Sequence, residues 1–439
     1  MDANGDIQEL FNFIGECTSP YHTVKTVATR LIQVGFKELS LASKWKLNKG
    51  EKYFVKIFDS SLVAFVVGQK EGNLHIAAAH TDFPCFRLKP SAGFIRDGYE
   101  SLNVEPYGGV IFRSWLDRPL SLAGKVVLRN SSENEDVFNP QVRLVDFRRP
   151  LMVIPSLAIH IDREVNDKGA LNAQKDMLPL TALSAKSDPL NPDAKARPSF
   201  LSWLAQNIDD DIEPEAILSY DLSTYPIEQG CLLGLNEEFV SSPRLDNLTS
   251  VKACLDGIMA SENQKGLNMM AIFDNEEVGS RTKQGAASTM LGQILSRIYT
   301  ALGKEEEDLC NDLASGFCLS VDVAHAMHPN YTDKSDPQVK AVLGGGVVIK
   351  QAASQAYAGD AEAIAITRRL CQVNDIPCQD FVNRSDSRGG STLGSIASAM
   401  VPIRTMDIGV PLLSMHSARE LTSAKDQRAL TELMKAFLK

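Results

Sequence analysis

Residues 73–80 read NLHIAAAH, an almost wholly apolar run that ends on His80 and is followed by Thr81 and Asp82. A strand with one wet face alternates apolar and polar residues. One that is apolar throughout is covered on both faces, as in the interior of a parallel sheet with helices above and below. Working outward, YFVKIF (53–58) and SLVAFVVG (61–68) precede it as further short β-rich runs. After Phe239 the chain alternates. LNMMAIFD (267–274), FCLSVDVAH (317–325) and RTMDIGV (404–410) read as strands, while NLTSVKACLDGIMAS (247–261), DAEAIAITRRLCQV (360–373) and KDQRALTELMKAFL (425–438) read as helices. Strands alternating with helices predict an α/β fold with a mixed, largely parallel sheet flanked by helices. Sites in such sheets form at the carboxyl ends of the strands.

The first forty residues predict two helices. Ile7, Leu10, Phe11 and Ile14 make one apolar stripe. Ser19-Pro20 then supplies an N-cap and a first-turn proline for a second stripe, Val24, Val27 and Leu31, that stops at Gly35. The middle of the chain has another texture. GGVIFRSW (108–115), LAGKVVLRN (122–130) and PLMVIPSLAIHI (150–161) are strand-like, and SAKSDPLNPDAKARPSF (184–200) is an exposed loop. The chain is therefore expected to carry one discontinuous domain, 1–90 and 235–439, with a mostly β domain inserted at 91–234.

Composition narrows the function. The 439 residues are 44% hydrophobic and 23% charged, with a net charge of −10. This balance argues against general nucleic-acid binding, which needs a basic face to displace counterions from phosphates. No apolar run approaches the roughly 18 residues that span a bilayer. The N-terminus, MDANGDIQELFNFIGEC, is acidic and unlike a signal peptide. Eight cysteines without a Cys-x-x-Cys pair, in a chain of this length, suggest reduced thiols and a cytoplasmic protein.

The strand ends gather metal-ligand residue types: His80 and Asp82, Asp246 in SPRLDNL, Glu276 and Glu277 after LNMMAIFD, Asp322 in FCLSVDVAH, and His416 after RTMDIGV. Each has a bland alternative. His-x-Asp is commonly a surface pair, adjacent glutamates suit a helix start, and Asp246 could be an N-cap. Their coincidence at the strand exits of one sheet favours a site. Two histidines with four or five carboxylates suit zinc, manganese or cobalt. Adjacent carboxylates point in different directions, so one can hold a metal while the other handles a proton.

AAHTDFP, SPRLDNL, FDNEEVGS, SVDVAHAMHPNY, GGSTLG and SMHSARE, in this order, resemble the aspartyl aminopeptidase family of dinuclear metallopeptidases, in its bacterial-type branch. The resemblance runs from SPYHTV near the N-terminus to the last of these motifs. It implies a zinc-exopeptidase-like fold and two divalent ions per subunit, zinc or else manganese or cobalt. His80 and Asp322 would hold one ion, Glu277 and His416 the other, and Asp246 would bridge them. Asp82 would orient His80, and Glu276 would be the general base for attack by a metal-bridging water. The implied activity is release of N-terminal residues, Asp or Glu foremost, from peptides.

The resemblance also makes the inserted domain a dimerisation domain of a tetrahedral dodecamer built from dimers. His160, otherwise a buried strand histidine, would reach a neighbouring subunit's active site and stabilise the oxyanion. His325, Lys350 and Tyr357 would line the pocket for the first side chain, Lys350 pairing with a carboxylate. A lysine ending the apolar run GGGVVIK could also be merely solvated. Two positions depart from the pattern: Phe83 stands where a small residue is commoner, and Arg388 is an added cation without an assigned role. The alternatives are an aminopeptidase with broad or neutral preference, a deacylase or carboxypeptidase on the same sheet, and an inactive oligomeric scaffold.

Overall fold

A computed structural model describes residues 4–130, 136–167, 169–184, 199–262, 264–387 and 389–439. Most of the polar stretch 184–200, and Arg388, lie outside the described residues. The chain divides into two units, Met1–Phe83 with Gln229–Met415 and Arg419–Lys439, and Pro84–Glu228 with His416–Ala418.

The first unit is built on a sheet of strands β1 (Lys37–Leu39), β2 (Lys52–Ile57), β3 (Ser61–Val67), β4 (Lys70–His80), β5 (Lys265–Phe273), β6 (Phe317–Val321), β7 (Val347–Gln351), β8 (Cys378–Val382) and β9 (Arg404–Gly409). Their order across the sheet is β1-β2-β3-β5-β4-β6-β9-β7-β8 among the described residues. The central run β5-β4-β6-β9 is parallel throughout. His80 sits in the register opposite Phe273, so β4 and β5 end side by side.

Both faces of this sheet are covered, and the residues alternate between them. Leu62, Ala64 and Val66 of β3 join one core with Ala77 and Ala79 of β4 and Met270 and Ile272 of β5. Val63, Phe65 and Val67 join the other, with Ile76, Ala78, Met269 and Ala271. Helices α1 (Gly5–Glu16), α2 (Pro20–Gln33), α3 (Leu245–Met259), α6 (Ala361–Val373) and α8 (Ala424–Phe437) cover the first face. Helices α4 (Met290–Ala301), α5 (Glu306–Ser315) and α7 (Leu393–Met400) cover the second. The start of α2 follows from its sequence: the Ser19 hydroxyl accepts the His22 backbone N–H at 3.4 Å, and Pro20 occupies the first turn. Truncating a large residue such as Phe65 in either core would cost about 3–5 kcal/mol.

The second unit is antiparallel, with strands in the order 141–146, 120–128, 217–226, 85–96, 99–107 and 180–183 among the described residues. Its core holds Phe86, Leu102, Val104, Leu122, Val126 and Trp115, whose ring meets Phe86 edge-on at 5.3 Å. Two runs read as strands are not strands. In GGVIFRSW, Gly108 takes φ 72° and Ser114 N–H returns to the Ile111 carbonyl, so Phe112–Trp115 form a 3-10 turn that buries the tryptophan. In PLMVIPSLAIHI only Met152 and Val153 bridge to other strands. Beyond Pro155, the Ile161 and Asp162 amides both donate to Ala158 O, and Leu157, Ile159 and Ile161 face solvent. His160 is therefore on an exposed turn rather than in a buried strand.

Candidate metal centre

β4 and β5 are held in parallel register, which sets His80 beside the turn that follows Phe273. That turn is tight. Asn275 and Ser280 take φ of 64° and 60°, and Asn275 belongs to the residue types that tolerate the left-handed region. Glu276–Val278 then form one 3-10 turn. Asp82, fully buried, clamps it: Oδ1 accepts the Glu276 N–H at 3.1 Å and Oδ2 the Glu277 N–H at 3.1 Å. His80 Nδ1 donates to the Asp82 backbone carbonyl at 3.0 Å, with the carboxylate 3.5 Å away. The Asp82 main chain thus orients the imidazole, and its side chain aligns the glutamates.

The other histidine nitrogen faces acids. His80 Nε2 lies 3.4 Å from Asp246 Oδ1 and 3.5 Å from Asp322 Oδ1. Asp322 follows β6 directly, and its carbonyl lies so close to β9 that a Cβ on Gly409 would overlap it. Asp246 corrects the expectation of a single sheet. It opens α3 after the strand Phe239–Ser242, which pairs in a separate small sheet with Cys231–Leu233 and Glu420–Ser423. Its backbone N–H donates to the buried Glu420 carboxylate at 3.0 Å, and Asn247 Nδ2 donates to Val321 O at 2.9 Å. Glu420 was inside the SMHSARE motif, but nothing in the pattern assigned it a task.

Ligand atoms of His80, Asp246 and Asp322 lie within 4.8 Å of one another, as do those of His80, Glu276 and Glu277. One imidazole among carboxylate oxygens is the mixed N/O donor set that zinc, manganese and cobalt accept, so these residues fit a divalent ion. The electrostatics agree. Burial, with the neighbouring aspartates, pushes the Glu276 carboxyl up to about 8. Burial and Asp246 raise Glu277 well above the carboxylate range. Burial opposes a charge on His80, yet hydrogen bonding to Asp246, Asp322 and Asp82 raises it well above its usual value. A cluster of acids this concentrated gains when a cation is bound.

His416 follows the short strand Pro411–Leu412 and groups with the second unit, where its Nδ1 lies 3.2 Å from Gly109 O. Lys350 is buried on β7, and its Nζ donates to Val323 O at 3.1 Å and lies 3.7 Å from Asp322 Oδ2. It also stands 5.2 Å from the centre of the Tyr357 ring. Tyr357 packs on Phe381, 6.1 Å between ring centres, and exposed His325 lies 6.0 Å from the same ring. Phe381 joins this group although its sequence context, QDFVN, gives no signal beyond a short apolar run. Asp407, midway along apolar β9, faces Ala358 N–H. A carboxylate inside such a strand was a signal of a buried partner. Phe83 is buried in the first core beneath the Arg244 guanidinium, 5.5 Å from its ring, and Arg244 donates to Ile14 O.

Known proteins match along almost the whole chain. The family described as aminopeptidase I zinc metalloprotease (M18) matches residues 13–438. A probable M18 family aminopeptidase 2 from Clostridium novyi (strain NT) is 42% identical over 433 residues, 98% of this chain and 97% of the relative. One of the same description from Ectopseudomonas mendocina (strain ymp) is 38% identical over 436 residues, 98% and 97% of the two chains. Among solved structures, a chain of the Ape4 and Nbr1 complex superposes with a TM-score of 0.91 at 36% identity, covering 98% of this chain and 85% of that one. Chaetomium thermophilum mApe1 gives 0.85 at 27% identity, covering 98% and 96%. Family and relatives agree along nearly the full length: the chain belongs to the M18 family of zinc metalloproteases and is an aminopeptidase, a metal-dependent exopeptidase.

Proposed function

We propose that the chain releases N-terminal residues, Asp and Glu foremost, at a centre for two divalent ions, with Glu276 as the general base. The observation that carries this reading is the position of His80 Nε2, 3.4 Å from Asp246 and 3.5 Å from Asp322, beside two glutamates aligned by Asp82. His80 and Asp322 would hold one ion, Glu277 and His416 the other, and Asp246 would bridge. The Gly109 carbonyl beside His416 Nδ1 supports its Nε2 as the ligating nitrogen. Bound zinc, manganese or cobalt would polarise the scissile carbonyl, acidify water and anchor the free α-amine. Glu276 would take a proton from the attacking water and return it to the leaving amine.

His160, on its exposed turn, is proposed to reach a neighbouring copy's site and donate to the developing oxyanion. This goes with self-association of the inserted unit, residues 91–234, into dimers and a tetrahedral dodecamer. The remaining segments, 1–90 and 235–439, would be the catalytic domain of a cytoplasmic enzyme.

Acidic preference rests on Lys350, with Tyr357 beside it and His325 against the Phe381 ring. A broader preference is the second reading, because Lys350 is buried and already engaged by Asp322 and Val323. Hydrolysis of matched substrates with N-terminal Asp, Glu, Leu, Ala or Lys, with and without chelator, separates them. Chelator-sensitive release led by Asp or Glu supports the acidic pocket. Release led by Leu or Ala keeps the metal centre and discards that pocket. No release by metal-loaded protein would overturn both.

A further inference from the structure

The exposed turn that carries His160 belongs to a loop, Ser156 to Gly169, in which no described residue is buried. Its flanks are anchored: Ile154 lies in the core of the second unit and Leu171 packs against that core. Between them the chain turns on itself, with the Asp162 amide on Ala158 O at 3.1 Å and the Asp167 amide on Glu164 O at 2.8 Å. Leu157, Ile159 and Ile161 face solvent, so burial of apolar area does little to fix the loop's shape. Compact surface loops of this kind depend on how their ends are closed.

Two side chains from one turn close both ends. Around Phe112–Trp115, the side chains of Phe112, Trp115 and Leu116 go to the core, while Arg113 and Asp117 stay outside. Asp117 Oδ1 accepts the Ser156 N–H at 2.8 Å and Oδ2 accepts the Ser156 hydroxyl. The Asp117 N–H itself donates to Ile154 O at 2.8 Å. At the far end, Arg113 Nη2 and Nε donate to the Gly169 carbonyl at 2.6 and 3.2 Å. Gly169 leaves the guanidinium its place, since a Cβ there would stand 1.7 Å from Nη2. The same turn meets the SMHSARE segment: the Ile111 N–H donates to His416 O at 3.1 Å, and Ser114 Oγ accepts the Ala418 N–H at 2.8 Å.

We propose that Asp117 and Arg113 are positioning residues for His160. They close the 156–169 loop at its two ends and so fix the imidazole in the pose it offers to a neighbouring copy. The proposal rests on the reading of His160 as a donor to that copy's oxyanion, and neither residue is assigned a contact with substrate. An exposed loop without a core of its own samples many shapes, and closing both ends removes much of that freedom. The restriction matters because a donor stabilises an oxyanion only where the charge develops, and a displacement of about 1 Å costs roughly a hundredfold in rate. Residues 109–117 thus brace a proposed metal ligand of this copy, His416, and the arm offered to the next.

The test compares His160→Ala, Asp117→Ala, Arg113→Ala and Asp117→Asn as metal-loaded full-length protein. His160→Ala should lower kcat roughly 100-fold. Asp117→Ala and Arg113→Ala should each lower kcat roughly 10- to 100-fold, with KM and sedimentation unchanged. Asp117→Asn, which still presents an oxygen to the Ser156 amide, should regain most of the rate. Adding Asp117→Ala to His160→Ala should lower kcat no further, because the aspartate acts through the histidine. A full additional loss in that double variant would overturn the proposal, as would a loss in Asp117→Ala that comes with dissociation of the assembly. A lowered rate in His160→Ala beside wild-type rates in Asp117→Ala and Arg113→Ala would overturn it and leave the His160 reading intact. A wild-type rate in His160→Ala would overturn both.

Discussion

The ammonium of Lys350 lies 3.7 Å from Oδ2 of Asp322, and both side chains are buried. A lysine proposed to receive a substrate carboxylate is thus in contact with an acid that the same account assigns to a metal ion. One side of Asp322 faces His80 and the other faces Lys350.

This pairing gives the first prediction. Lys350→Met leaves a buried carboxylate without its cation and should destabilise the metal-free protein by about 3–5 kcal/mol. The loss should be smaller when metal is bound, because an ion then faces Asp322. Chemical denaturation with and without chelator checks it. The same variant sorts the substrate readings. A selective rise in KM for Asp and Glu substrates fits a receiving lysine, and an equal fall in kcat/KM for all substrates fits a purely supporting one.

The clamp formed by Asp82 makes a second prediction. Asp82→Asn keeps the shape but replaces one accepting oxygen by an NH2 group that would face a backbone N–H. One of the Glu276 and Glu277 amides loses its partner, at about 1–3 kcal/mol. Metal affinity should fall roughly 10- to 100-fold through disorder of the glutamate turn and of His80. Competition for metal with a calibrated chelator measures it.

Asp426 supplies a pH prediction away from the metals. It accepts the Gly344 and Gly346 amides at 2.7 and 2.8 Å, yet burial raises its carboxyl from 3.8 to about 6. The folded state therefore keeps a proton that the unfolded chain has lost. That stabilisation is complete below the unfolded value and disappears as pH rises through the folded one. Relative to Asp426→Asn, which does not titrate, the wild type should lose roughly 2–3 kcal/mol between about pH 4 and pH 6. Urea denaturation of both proteins across this range reads the difference, and a constant gap would contradict it.

How far the sequence was legible depended on the kind of signal. The α/β core was, because strands covered on both faces are apolar along their length, as in LNMMAIFD and NLHIAAAH. His80, the glutamate pair and Asp322 were legible because each stands at the end of such a strand. Asp246 was legible as a residue but not in its place, since a short strand of a separate sheet delivers it. GGVIFRSW failed because apolar content cannot distinguish a strand from a turn that buries one tryptophan. The long hairpin 85–96 and 99–107 passed unread because its outer face is polar and Pro90 interrupts its pattern. Tasks carried by backbone groups, such as the Asp82 carbonyl on His80 and the Glu420 carboxylate on the Asp246 amide, leave no trace in residue type.

The most direct test of the central claim is the turnover of Glu276→Gln measured together with its metal content. The substitution preserves shape and leaves the proposed ligands His80, Asp246, Asp322, Glu277 and His416 untouched. Two ions per subunit are expected in the variant and the wild type alike, with kcat of the variant lowered about a thousandfold by loss of the general base. A variant that keeps its metal and turns over substrate at the wild-type rate would contradict it.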